Sequence, residues 1–464
     1  MRTSILCSTL LVCATACPAD PETTTDDSTS DPSSDATSAT PDSTGDEPTT
    51  GDEPTTDAES TTGETGETGD ATSTGAPAGV CGDGVLDDGE ACDDGNDELA
   101  DGCEACQPVA HVEWTVEVVG DDGGNDRAND VAITADGTII VVGYQDGALG
   151  VRRPLIVTLA PDGSILSKYV HPTEYDYGAY ESIAVAADGG YHVAGTLTID
   201  PGNATSAALH KFSPDHTLEW AHEQPAPTDD NASARSVALA DDAVYTAGRE
   251  NGAPARMFVR RHDLDTGEIA WQWDGPDPAA SARAHGLAVA GDRVVVVGSW
   301  EIQGEDYPLA AALDTQGNKL THVTLNIKGE LTDVEAIGDD VVISGWQVPL
   351  DHAPLLWRTD RELATVWLEL PETVGELHGV AADPTRGVLA TGLVGIADYD
   401  ADIHVGLHSD AGVQLWTDVA TGVMQDGDDR GEDVAFGPHS FVAVGGVGGP
   451  DGTYDLWIRR VLFG

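Results

Sequence analysis

The sequence predicts an all-β protein: a seven-bladed β-propeller preceded by a disordered acidic linker and a small disulfide-rich module. Three observations carry that prediction. One hairpin pattern recurs seven times from residue 111 onward, with closing glycines about 50 residues apart. Each hairpin alternates apolar and polar residues around an Asp-Gly-type turn, as paired antiparallel strands require. The last repeat lacks a fourth strand while a strand without a partner opens the repeat region, so the two ends complete one another.

Taken in order, residues 1–16 read as an export signal. Arg2 supplies the early positive charge, and Ile5 to Cys13 form a mostly apolar run far too short to span a bilayer. The run ends in Ala14-Thr15-Ala16-Cys17, which resembles the lipobox of bacterial lipoproteins. That resemblance implies cleavage before Cys17, a diacylglycerol on its thiol, and a lipid anchor at the outer membrane or cell surface. Ala14 stands where the lipobox usually has Leu, and Ala14-x-Ala16 also satisfies the general small-residue cleavage rule, so a secreted product is the alternative. Residues 17–80 form the linker. Over 18–78 it is almost wholly Thr, Ser, Asp, Glu, Gly, Pro and Ala, with a tandem Gly-Asp-Glu-Pro-Thr-Thr at 45–56. Nothing there is apolar and larger than Ala, so no burial offsets the entropy of ordering, and a disordered tether with a reach of roughly 45 Å is expected.

Residues 81–107 hold Cys81, Cys92, Cys103 and Cys106, beside Val85, Leu86 and Leu99 as sizeable apolar side chains. So small a core needs cross-links, and clustered cysteines after an export signal read as two disulfides whose three pairings stay open. The CGDG…GE.CDDGN…DGC..C pattern resembles the myxobacterial-type disulfide-rich repeat, itself similar to Notch-type cysteine repeats. By that analogy Asp83, Asp93, Asp94, Asn96 and Asp101 supply the hard oxygen ligands Ca²⁺ prefers. The competing reading is that these acids keep a small loop soluble. A zinc site from Cys103-x-x-Cys106 is disfavoured, because a single CxxC supplies half the ligands.

The propeller is expected over 111–464. Its first hairpin runs Asp130 to Gly143 and recurs as Ser182–Gly195, Ser236–Gly248, Gly286–Gly298, Asp333–Gly345, Gly379–Gly392 and Asp433–Gly445, with each Gly read as closing the second strand. Third-to-fourth strand turns follow around Pro161-Asp162-Gly163, Asp215, Gly267, Gly317, Arg361 and Gly412, which makes six turns for seven hairpins. The missing fourth strand is the one at Val112 to Val119, which pairs with Asp455 to Leu462 and closes the ring. The repeats resemble the bacterial β-propeller repeat family with a D.xG.xyV.G signature. That resemblance implies an extracellular propeller and no single activity.

The chain carries 21 Lys+Arg against 82 Asp+Glu, a formal charge of −61, which disfavours nucleic acid and anionic lipid headgroups as partners. Export and a closed ring suit a monomer. No HExxH, GxSxG or phosphate-binding loop is present. Gly445 to Gly449 reads as a loop. His404 and His408 are expected to be ordinary strand positions, about 13 Å apart along the chain.

What remains is geometric. In a propeller the first strand of each blade lines the channel, and the loops leading into those strands converge on one face. They bring together Asn129, Glu181, Arg235, His285, Thr332, His378 and Glu432, and just upstream Arg127, Ser233, Arg283, Glu330, Glu376 and Arg430. Such a mixed ring suits a polar ligand; the plainer reading is a solvated ring of interblade salt bridges. The expectation is thus a lipid-anchored surface protein displaying the propeller as a binding module for a glycan, peptide or protein. A matrix protein without a pocket and a glycan lyase or hydrolase are the alternatives. The latter needs two mouth carboxylates, for which Glu330 and Glu376 are the pair, and with no catalytic signature the chain is expected not to be an enzyme.

Overall fold

The computed structural model describes residues 110–463 except 121–122, 148–150, 173–176, 199–203, 228–229, 278, 349–351, 371–374, 396–400, 423–428 and 451, together with two short strands, Cys103–Glu104 and Gln107–Pro108. Those two strands pair antiparallel, Cys103 opposite Pro108. The export signal, Cys17, the linker, Cys81, Cys92, Cys106 and the five candidate calcium ligands lie outside the described residues, as does the side chain of Cys103.

Every element of the propeller region is a strand, arranged as seven antiparallel four-stranded sheets. In blades 1 to 6 the strands pair in chain order, beginning at Asp126–Ile133, Gly178–Val185, Ala232–Ala240, Ala282–Ala290, Gly329–Ile337 and Gly375–Asp383. Blade 7 is composite. Arg430–Phe436, Ser440–Gly448 and Tyr454–Leu462 are completed by His111–Val118, with Val116 opposite Ile458 and Val118 opposite Leu456. The ring therefore closes as the strand count requires. Gly445 to Gly448 belong to the second strand of blade 7 rather than to a loop.

The core lies between blades. Second and third strands are buried on both sides, as at Ile139 to Val142 and Val294 to Val297, so their β-branched runs need no polar alternation. Each hydrophobic cluster joins two neighbouring sheets; Val131, Val141 and Val157 of blade 1, for example, pack with Val442, Val444 and Ile458 of blade 7. Two belts reinforce these seams. Near the axis Asp130 accepts from the Ile183 amide (2.7 Å), Asp333 from Val380 (3.0 Å) and Asp433 from Val131 (3.2 Å), each one blade along. At the rim the indoles of Trp114, Trp271 and Trp367 donate to the carbonyls of Pro161, Thr315 and Asp410 in the next blade's outer turn. Gly163 and Gly317 sit against the first two of those rings at positive φ, where a side chain would be strained and would meet the indole.

Candidate functional site

All seven first strands carry a β-bulge at one equivalent position. In blade 1 the pairing steps from Ala128↔Gly143 to Asp130↔Val142 and leaves Asn129 without a partner. The skipped residues of blades 2 to 7 are Glu181, Arg235, His285, Thr332, His378 and Glu432. A bulge takes one residue out of the ladder and re-aims its side chain, here toward the axis. The seven convergent residues are thus placed by a shared backbone irregularity as well as by their loops.

The bulge also explains the repeated glycines, and corrects how they read in sequence. Each second strand continues beyond its glycine, to Asp146 in blade 1 and Glu250 in blade 3. A Cβ on Gly143, Gly195, Gly248, Gly298, Gly345, Gly392 or Gly445 would run into the carbonyl oxygen two residues before the bulge, that of Arg127 or Arg283 for instance. Glycine is required there by the close approach of the bulged strand.

The ring surrounds an axial cavity of about 510 Å³, whose lining includes all seven bulged residues. Below them lies a layer absent from the sequence reading of the site: Asp130, Asp333, Asp433 and Glu335. Burial drives all four carboxyls upward, Asp333 to about 7 and Glu335 to about 8. Asp130 and Asp433 interact directly, and their mutual repulsion adds to burial in raising Asp433. The signal was present in the sequence, since these aspartates open three of the seven hairpins, but strand alternation alone would place them on the opposite face from their bulged neighbours.

The mouth divides into two sectors. Across blades 5 to 7, His378 contacts Glu376 (3.1 Å), Glu432 (3.6 Å) and the Gly431 carbonyl (2.9 Å). Glu432 continues to Arg127 (3.1 Å), and His352, stacked on Trp346 with 4.2 Å between ring centroids, also contacts Glu376. Burial opposes charge on both Glu376 and His378, but their mutual hydrogen bond and neighbouring charges outweigh it. Glu376 is held at about 2 and His378 is raised above its ordinary value.

Across blades 3 and 4 the balance reverses. Arg283 meets Asp306 (3.0 Å) and Glu330 (3.5 Å), while Arg235 is only loosely paired with Glu181 at 3.7 Å. Burial, followed by the charges of Arg235, Arg249 and Arg283, depresses His285 to about 3, although Glu330 stands 3.5 Å away. Glu330 itself is raised, chiefly by burial.

The remaining predicted residues have plainer surroundings. Asn129 donates to the Tyr180 carbonyl and Thr332 to that of Leu377. Ser233 and Arg430 occupy the upstream position of their strands, the place held by Arg127 in blade 1. His404 and His408 are strand residues, as expected, with ring atoms of both beside Gly406 between them. Among the described residues no group of three or more His, Cys, Asp or Glu side chains is arranged to hold a metal.

No protein-family model and no curated protein matches the chain. Similar solved structures include a protein of unknown function from Dyadobacter fermentans, at 12% identity over 76% of this chain and 99% of that one, TM-score 0.44. They also include the periplasmic gluconolactonase of Pseudomonas aeruginosa, at 16% identity over 65% of this chain and 87% of that one, TM-score 0.45. A structure from a study of two prolyl endopeptidases matches at 13% identity over 72% of this chain and 50% of that one, TM-score 0.41. At such identities the likeness concerns the fold alone. The expectation that the chain is not an enzyme is corrected all the same: the propeller fold is compatible with catalysis, and the want of a familiar motif does not exclude it.

Proposed function

We propose that the chain is an exported, lipid-anchored surface protein whose propeller mouth binds a polar ligand, a glycan or a peptide or protein segment. The observation that carries this reading is the set of seven bulges presenting a mixed polar ring around the 510 Å³ cavity. The anchor rests on Cys17 and its lipobox-like context, the stand-off on the linker, and the disulfide-bonded character of residues 81–107 on their cysteine pattern. Full-length protein on glycan and peptide arrays tests the mouth. Simultaneous alanine substitution of Arg235, His285 and His378 is expected to weaken the best ligand at least about tenfold, and unchanged affinity would remove the mouth from the mechanism. Intact mass of the membrane fraction tests the anchor, and an unmodified, soluble Cys17 product would refute it.

A second reading has its own observation. Glu330 and Glu376, in adjacent blades, are pushed apart in acidity, the first raised and the second held at about 2. A carboxyl of raised pKa and one of lowered pKa in a single mouth is the division of acidity a glycan-cleaving enzyme uses. Loss of glycan cleavage in both Glu330→Gln and Glu376→Gln would favour it, and intact glycans after incubation with wild-type protein would dismiss it.

A further inference from the structure

We infer that the mouth takes an acidic saccharide and seats an oxyanion of it, a uronic-acid carboxylate or a sulfate ester, against Arg249 and Ser233 in a side pocket of blade 3. This rests on the mouth being a ligand site and specifies what the ligand carries.

The pocket, about 310 Å³, opens beside the axial cavity and shares Glu181 and Arg235 with it, so one extended ligand reaches both. Arg249 follows the bulge-facing Gly248 and pairs across the ladder with Ser233. At the same register the other blades place Tyr144, Thr196, Ser299, Trp346, Leu393 and Gly446, none of them charged. The arginine is therefore peculiar to this blade and not a demand of the fold.

No carboxylate of a described residue forms an ion pair with Arg249. The side chain is half-buried; Glu181, the one carboxylate among the described residues of the pocket wall, faces Arg235 and Asn129. Arg283 is engaged by Asp306 and Glu330. Burial and the charges of Arg235 and Arg283 push the Arg249 pKa down, outweighing the opposing charges of Glu330 and Glu181. Two donors share this lack of a partner. Ser233 is only 7% exposed and its hydroxyl has no partner among the described residues, and the Nε of Arg235 is buried and likewise unpaired. Buried donors are normally satisfied, and an oxyanion with several lone pairs satisfies a guanidinium and a hydroxyl together. Tyr177, Thr196, Asn231 and Asn251 complete the wall with hydroxyls and amides, the groups that recognise sugar hydroxyls.

The test uses the full-length chain on an array of uronate-containing and sulfated oligosaccharides, each beside its carboxyl-reduced or desulfated counterpart, with the strongest binder then titrated calorimetrically. The acidic form is expected to bind at least about tenfold more tightly than its neutral counterpart, and Arg249→Gln to erase that difference. Ser233→Ala gives a smaller loss and guards against a folding defect in Arg249→Gln, whose thermal melt is recorded alongside. The uronate and sulfate arms identify which oxyanion is taken. Equal binding of acidic and neutral forms, or undiminished acidic preference in Arg249→Gln, overturns the inference and leaves the mouth reading intact, as would ligands found only among peptides. Binding that also survives the triple substitution of Arg235, His285 and His378 overturns both.

Discussion

His285 and His378 stand on the same bulge of blades 4 and 6, on equivalent backbone scaffolding, and have their pKa values pushed in opposite directions. Both are half-buried, so desolvation works against the cation in each. The difference lies in the neighbours. Two residues upstream blade 4 has Arg283 and blade 6 has Glu376, and the adjoining blades add Arg235 and Arg249 on one side and Glu432 on the other. The fold decides where a mouth side chain points, and sequence positions that the fold leaves free decide what it does there.

The strongest way to break the comparison is to remove the shared scaffold. Deleting residues 111–118 strips the outer strand from blade 7, which supplies Glu432 to the acidic sector. The melting temperature is expected to fall by about 10 °C or more, whereas deleting 18–78 changes it little. Equal melting temperatures would refute closure through that strand. Next in size, Gly298→Val and Gly392→Val each force a Cβ into the bulge carbonyl, and a loss on the order of 3 kcal/mol is expected in both. A cost in one blade and not the other would show that the bulges are not equivalent.

Glu376→Gln sharpens the acidic side. His378 is raised in the fold, so its stabilisation is fully present below its unfolded pKa and is lost as pH rises through the folded value. The depressed Glu376 contributes above its unfolded value and loses that contribution as pH falls toward about 2. The substitution is therefore expected to cost about 1–2 kcal/mol near pH 6 and less near pH 9 in denaturant titrations, and a pH-independent cost would remove the ion pair from the account. The smallest effect belongs to the basic side. Arg283→Gln removes one of three repelling charges from His285, whose pKa should rise from about 3 by about one unit in an NMR titration. Burial, the larger cause, stays in place, so a full return to the ordinary value would show that burial had been overrated.

Much of the architecture was legible because β alternation and turn chemistry are local. Val131, Val141 and their repeats point into the blade interfaces, and Trp114 opens a strand that only the last blade could use. The ring was found by counting loops, which located Asn129 to Glu432 without revealing why they converge. Strict alternation in Asp126–Ile133 sends Asn129 and Asp130 to opposite faces, and the bulge returns both to the cavity. That irregularity depends on the glycine of the neighbouring strand, a pairing no single strand discloses. Arg249 was invisible for a related reason: it lies on a second strand, outside the loop set, and its counterparts include Leu393 and Gly446. The ion pairs from Arg127 to Glu432 and from Arg283 to Glu330 cross between blades, and the first of them depends on the closed ring.

The bulged residues belong to no ladder pair, whereas the glycine opposite each bulge is sterically obligatory. Structural constraint and chemical identity have thereby been assigned to different strands. Seven positions around one axis can be rewritten in charge, size or aromaticity with the hydrogen-bond ladders untouched, a combinatorial address space held open by seven invariantly small partners. A library randomised at Asn129, Glu181, Arg235, His285, Thr332, His378 and Glu432 would draw on that separation, and its members would differ in what they retain long before they differ in whether they fold.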